Sequence, residues 1–370
     1  MIVSDLPTPA FLVDRQVVHR NCTKMREKAL ASGVAFRPHV KTHKSVEIGR
    51  MQHGGAAGPI TVSTLAEAEV FARDGFRDIT YAVPLAPSRD KLDRVAALAA
   101  RVERLSVLID SDRALGALEE HAASHGTIFD VFLKVDCGYH RAGVDPNDPG
   151  SVRLAVRMAR SESLRFQGLL THAGHSYHAK TIEEIQRVAA EESGSLSRFR
   201  ALLAAEGLGE ARRSIGSTPT ASVVERFSDC DEVRPGNYVF YDAFQATIGS
   251  CRLEDCAVSV LTTVVGAYPE RGSAIVDAGA LALSKDAGPE HVDPRFGYGL
   301  VCDVDLKPLP LRVAALSQEH GKVMGEARLE VGMKLRIVPN HSCLTSAMFD
   351  KYAIVERKRV VDEWRPVRGW

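Results

Sequence analysis

The sequence carries no surplus charge: Lys and Arg together number 47, as do Asp and Glu, so the formal net charge is zero. A nucleic-acid or other polyanionic partner, which needs a basic face, is therefore not expected. No apolar run is long enough to span a bilayer. Near the start there is no basic stretch leading into an apolar one, so no secretory signal is visible and the cytoplasm is the expected compartment. The seven cysteines are odd in number and lack any CxxC spacing; they read as free thiols of a reducing compartment, not as a disulfide framework. Internal repeats, low-complexity tracts and Pro/Ser linkers are also missing. So is a glycine-rich turn after the first strand, which an open doubly wound sheet would usually show.

What is there is an ordinary globular composition, 45% hydrophobic and 25% charged over 370 residues, long enough for two domains. Thr8 to Val13 reads as a strand, after which Asp14 caps a helix with Val18, Cys22, Met25 and Ala29 at helical spacing and Gly33 at its end. Apolar β-branched runs then recur near 34–39, 59–63, 78–83, 105–110, 129–135, 165–171, 213–217 and 232–239. Helix-period stretches at 65–72, 92–100, 114–122, 152–159 and 182–205 lie between them. About eight such units match a closed (β/α)8 barrel in number and size. After about residue 250 strands follow one another across turns, at 258–265, 274–277, 300–304, 311–315 and 334–338, which indicates an antiparallel β-domain. The expected division is a barrel over 14–248 and a β-domain over 249–370, joined by the first strand, 1–13.

The functional face of such a barrel is the one where its strands end. The first of these strands runs into Arg37-Pro38-His39-Val40-Lys41-Thr42-His43-Lys44, which sets Lys41 at its exit. An amine that bonds covalently to a carbonyl needs a depressed pKa, and burial with Arg37 and Lys44 nearby could supply it. Gly216-Ser217-Thr218-Pro219-Thr220 and Arg234-Pro235-Gly236-Asn237-Tyr238 close the seventh and eighth strands, where phosphate commonly sits, and a helix after Thr220 would add its dipole. From the fifth and sixth strand ends, a flat ring could stack on His172 while Arg141 and Tyr177 reach its oxygen substituents. In Val338-Pro339-Asn340-His341-Ser342-Cys343 a histidine and a cysteine two apart on a strand would face one side. Imidazole and thiolate suit Zn2+ and leave positions for substrate; an H-x-C pair alone is common.

Taken together, PHVKTHK, KVDCGYHRAG at Lys134 to Gly143, THA at Thr171 to Ala173, GSTPT and RPGNY resemble the alanine-racemase-like class of pyridoxal 5′-phosphate enzymes, fold type III. Within that class the chain is similar almost end to end to the D-serine dehydratase and D-threonine aldolase branch. The resemblance implies that Lys41 carries the cofactor, that Ser217, Thr218, Gly236 and Asn237 hold its phosphate, and that Arg141, His172 and Tyr177 contact it. It also implies that His341 and Cys343 bind a divalent metal, Zn2+ first, with Mn2+ or Co2+ as alternatives. Some relatives carry a tyrosine where Leu170 stands, so one cofactor hydrogen bond would be missing. Gln318-Glu319-His320-Gly321 reads either as a family segment near the site or as a plain turn.

By resemblance, D-threonine aldolases carry a carboxylate in place of the second metal ligand, so Cys343 favours elimination over retro-aldol cleavage. The expected activity is a dehydratase, with Lys41 as the base, that turns a 3-hydroxy D-amino acid, D-serine above all, into a 2-oxo acid and ammonia. D-threo-3-hydroxyaspartate dehydratase, D-threonine aldolase and a non-catalytic pyridoxal-phosphate carrier are the alternatives. Racemisation would need a second base that the metal pair replaces. The resemblance further implies a homodimer.

Overall fold

Asp14 ends strand β1 (Ala10–Asp14) and starts helix α1 (Arg15–Ser32). Its Oδ1 accepts the backbone N–H groups of Gln16 and Val17 at 2.9 and 3.0 Å, which satisfies two of the helix's orphan donors. Val18, Cys22, Met25 and Ala29 form the buried stripe of α1, and Gly33, at φ +70°, ends it in the left-handed conformation that costs other residues most.

The computed structural model describes all 370 residues and divides into two units, Met1–Thr23 with Asn237–Pro366 and Lys24–Gly236 with Val367–Trp370. The second unit holds eight parallel strands: β2 (Ala35–Phe36), β3 (Ile60–Val62), β4 (Asp78–Pro84), β5 (Arg104–Ile109), β6 (Phe129–Lys134), β7 (Leu164–Leu170), β8 (Arg212–Ile215) and β9 (Glu232–Val233). From β3 to β9 each neighbours the next in sequence, and β9 pairs with β2. A parallel bridge from His39 to Thr61 joins the exit of β2 to β3 and closes the ring as expected. Every residue of β3 and β6 is buried, as in strands covered by helices on one side and packed barrel on the other. The helices are α2 (Val46–Gln52), α3 (Leu65–Arg73), α4 (Arg89–Ala99), α5 (Asp112–His125), α6 (Pro149–Arg160), α7 (Ile182–Ala204) and α8 (Thr218–Val223). Thr64, Ser111 and Thr181 cap α3, α5 and α7 through their hydroxyls.

The first unit contains α9 (Ala243–Thr247), β10 (Val258–Tyr268), β11 (Ser273–Val276), α10 (Ala280–Leu283), β12 (Leu300–Cys302), β13 (Pro308–Leu316), β14 (Gly321–Gly325), β15 (Lys334–Val338), α11 (Ser342–Ala347), β16 (Tyr352–Glu356) and β17 (Arg359–Trp364). Strands β10, β11, β14, β13, β12 and β15 form a closed antiparallel ring. β10 can serve both neighbours because its register shifts between Val264 and Gly266, the kink by which a bulge turns a strand to a new partner. β1 flanks β10 outside the ring, then β16 and β17. Gln318 to Gly321 is the tight turn between β13 and β14, closed by the Ser317 N–H on the His320 carbonyl. No helix is long and apolar enough to cross a membrane.

Candidate active site

Lys41 lies in a single 3-10 turn, Val40–Thr42, immediately after the His39–Thr61 bridge, and is half-buried. The chain is pinned on both sides of it. The Thr61 N–H donates to the Pro38 carbonyl at 2.9 Å; His43, fully buried, accepts from the Ser45 N–H at 3.1 Å and meets Gln52 Oε1 at 3.2 Å. Arg37 and Lys44, expected to depress the lysine, are committed elsewhere. Arg37 binds Glu232 at 2.7 Å and Asp78 at 2.6 Å, and Lys44 binds Glu67 at 2.9 Å.

Further charged groups of the site come from other strand ends. Burial first, and then the Lys41 cation, hold both His39 and His172 well below the ordinary imidazole range. His172 is therefore neutral, and because its Nδ1 lies 2.6 Å from the Gly216 carbonyl, that nitrogen carries the proton. Lys134, at the end of β6, is buried and pushed down to about 7 by desolvation, then by Arg234 and Arg141. Arg141 is exposed and lies over the Tyr139 ring, 5.2 Å from its centroid. Tyr139 stacks on His175, and Tyr177 is half-buried two residues further along the same turn.

The loops after β7 and β8 are tied together by groups that sequence reasoning missed. Glu192, buried on α7, accepts from the Ala173 N–H at 3.0 Å, the Gly216 N–H at 3.2 Å and the Thr220 hydroxyl at 3.3 Å. Arg234, also buried, donates to the Thr171 carbonyl and to Ser214 Oγ. Ser217 Oγ sits 2.7 Å from Ser176 Oγ. The expected helix starts at Thr218, not after Thr220, and at six residues it adds little dipole. A Cβ on Gly216 would press the Arg234 backbone at 2.7 Å, and one on Gly236 would meet His39 at 3.0 Å. Small backbone loops, a cluster of cations and one lysine amine fit an anionic aldehyde such as pyridoxal phosphate.

In the other unit, the residue after Gly236 begins a second constellation. His341 Nδ1 lies 3.0 Å from Asp286 Oδ2. Burial opposes charging of this imidazole but is outweighed by its bonds to Asp286 and to the Cys343 thiol, so its pKa is held well above the ordinary value. His341 and Cys343 do meet, but not through strand geometry: β15 stops at Val338, and His341 is the N-cap of α11, which puts Cys343 in its first turn. Asp242, buried, accepts from the Ser342 N–H at 3.0 Å and from Asn237 Nδ2 at 2.7 Å. The Asn237 amide also reaches Ser342 Oγ at 2.8 Å and Cys343 Sγ at 3.7 Å. Its side chain thus serves the His341–Cys343 turn, leaving only its backbone for a phosphate. A histidine whose second nitrogen faces a carboxylate, beside a thiol, fits a divalent transition ion.

The chain matches the family model described as alanine racemase, N-terminal domain, over residues 13–243, and that of a putative serine dehydratase domain over 257–355. It belongs to the alanine-racemase-like, fold type III class of pyridoxal-phosphate enzymes. It is 38% identical to D-serine dehydratase of Dictyostelium discoideum, over 100% of this chain and 98% of the relative. To D-threo-3-hydroxyaspartate dehydratase of Delftia sp. (strain HT23) it is 39% identical, over 99% and 98%. A solved cysteine-to-alanine mutant of D-threo-3-hydroxyaspartate dehydratase, in the metal-free form, superposes with a TM-score of 0.94 at 38% identity across all of both chains. Within its class the chain belongs to the D-serine dehydratase and D-threonine aldolase branch.

Proposed function

We propose that this enzyme is a pyridoxal-phosphate- and metal-dependent dehydratase that converts a 3-hydroxy D-amino acid, D-serine first, to a 2-oxo acid and ammonia. The observation that carries this reading is the contact of Cys343 with His341, whose other nitrogen is held by Asp286. Lys41 would hold the cofactor, with Ser217, Thr218, Gly236 and the Asn237 backbone at its phosphate and Arg141, His172 and Tyr177 around its ring. When bound, pyridoxal phosphate supplies an electron sink for the charge left at the α-carbon. The Lys41 amine takes the α-proton onto Nζ as general base. His172, neutral and fixed by Gly216, offers a flat face without adding charge. His341 and Cys343 would hold a divalent ion, Zn2+ first, which supplies the Lewis acidity that lets the β-hydroxyl leave. Seven free cysteines agree with a cytoplasmic setting, and family likeness supports a homodimer acting on a small substrate.

Assays of D-serine, D-threonine and D-threo-3-hydroxyaspartate with and without added Zn2+ or Mn2+ test the reading. We expect oxo acid and ammonia, fastest from D-serine, with activity abolished by a chelator while the cofactor absorbance persists. Glycine plus aldehyde as the main products would make the enzyme an aldolase and sink the proposal.

A further inference from the structure

Away from the strand ends, α4 and α5 bring together three metal-ligating side chains. Asp93 on α4 and His121 and His125 on α5 each offer a ligand atom, all within 4.8 Å of one another. The two histidines are four apart on one helix, the spacing that lets both reach one ion, and their rings stack with centroids 4.1 Å apart. Their hydrogen bonding is suited to that task. His125 Nδ1 lies 2.9 Å from the His121 carbonyl and 2.9 Å from Ser124 Oγ; a carbonyl only accepts, so Nδ1 is the donor nitrogen and Nε2 is the one placed for a metal. A metal-bound histidine usually donates its second N–H to just such a carbonyl.

The stronger observation is at His121. Its side chain is 8% exposed, and its Nε2 is buried without a hydrogen-bond partner, 3.8 Å from Asp93 Oδ1. An orphaned buried nitrogen costs free energy unless something comes to it. The one competing cation is Arg89, 3.9 Å from Asp93 and 94% exposed at its side chain, which is free to swing away. Ligand atoms of a tetrahedral Zn2+ site stand about 3.3 Å apart, given bonds of roughly 2.0–2.1 Å. The His121–Asp93 gap of 3.8 Å is close to that, and Asp93 and His125 are exposed enough to close the rest by rotation.

We infer that Asp93, His121 and His125 form a second divalent-metal site, selective for imidazole-preferring ions such as Zn2+, that cross-links α4 to α5. It is distinct in its residues from the His341–Cys343 pair and does not depend on the reaction proposed above. Equilibrium dialysis of the holoenzyme against micromolar Zn2+ tests it. We expect the wild type to hold one more ion per chain than H125A, H121A or D93N, each of which should weaken that ion at least tenfold. Cofactor absorbance and circular dichroism of H125A, whose side chain is exposed, should match the wild type. Hydrogen exchange should slow on Zn2+ addition at the end of α5 in the wild type and not in H125A. Equal stoichiometry in wild type and H125A, or binding at these residues only at millimolar Zn2+, an adventitious ion only, would overturn the proposal.

Discussion

At the scale of single residues, the candidate metal pair depends on a group that no motif flagged. Asp286 lies 55 positions before His341 and binds its Nδ1, which orients the ring and leaves Nε2 for an ion. Nothing in Ser284-Lys285-Asp286-Ala287-Gly288 marks that aspartate, because its role exists only once the chain folds over α11. Asp242 and Glu192 were hidden for the same reason: one buried carboxylate on a loop or helix reads like any other acidic residue until its donors are known. Replacing such an outer partner typically costs 10–100-fold in metal affinity. Asp286→Ala should therefore weaken Zn2+ by about 10–100-fold, measured by competition with a chromophoric chelator, while pyridoxal-phosphate absorbance stays at the wild-type level. Unchanged Zn2+ affinity would remove Asp286 from the metal centre.

At the scale of elements, the alternation of strands and helices from 34 to 239 was legible because its periods, 2 against 3.6, are written in apolar spacing, and the cap Asp14 marks the start of the first helix. β14, β16 and β17 were not, since strands of five or six residues carry short patterns; in β17 Val360 and Val361 sit side by side between Arg359 and Asp362, without alternation. The H-x-C pair was read on the wrong element because Pro339 already ends the strand. What positions the loops after β7 and β8 is α7, through Glu192. Glu192→Ala strands the Ala173 and Gly216 N–H groups, each worth ~1–3 kcal/mol when left unpaired and buried, while the Thr220 hydroxyl keeps the Ser217 carbonyl. We expect a fall of several degrees in melting temperature and at least a tenfold loss of pyridoxal-phosphate affinity. Glu192→Gln, which keeps one acceptor, should recover part of both. Wild-type cofactor affinity in the alanine variant would remove Glu192 from the site.

At the scale of the whole molecule, equal numbers of acidic and basic groups hide an unequal response to acid. Burial pushes His43 down to about 3 and His53 down to about 4, and it also lowers His39, His121 and His172. An unfolded imidazole takes its proton near pH 6.5, so below that pH the unfolded chain binds protons that the folded chain refuses, and stability falls as pH falls. His43 and His53 alone give a slope of about 2.7 kcal/mol per pH unit between roughly pH 5.5 and 4.5. Burial raises the carboxyls of Glu192 and Asp242, which take up protons first in the folded state and so offset part of this loss. The depressed Asp231 and Asp286 add to it only at lower pH. Acid unfolding should therefore begin above the usual carboxylate range. His43 isolates one contribution, because both its ring nitrogens are bonded as a neutral imidazole, to Ser45 and Gln52, and a second proton would set N–H against N–H. In calorimetric scans of the holoenzyme at pH 5.5, 5.0 and 4.5, His43→Gln should lose less stability per pH unit than the wild type, by about 1.4 kcal/mol. Parallel curves would show that this imidazole titrates normally inside the fold, and that the turn carrying Lys41 is more open to water than its packing indicates.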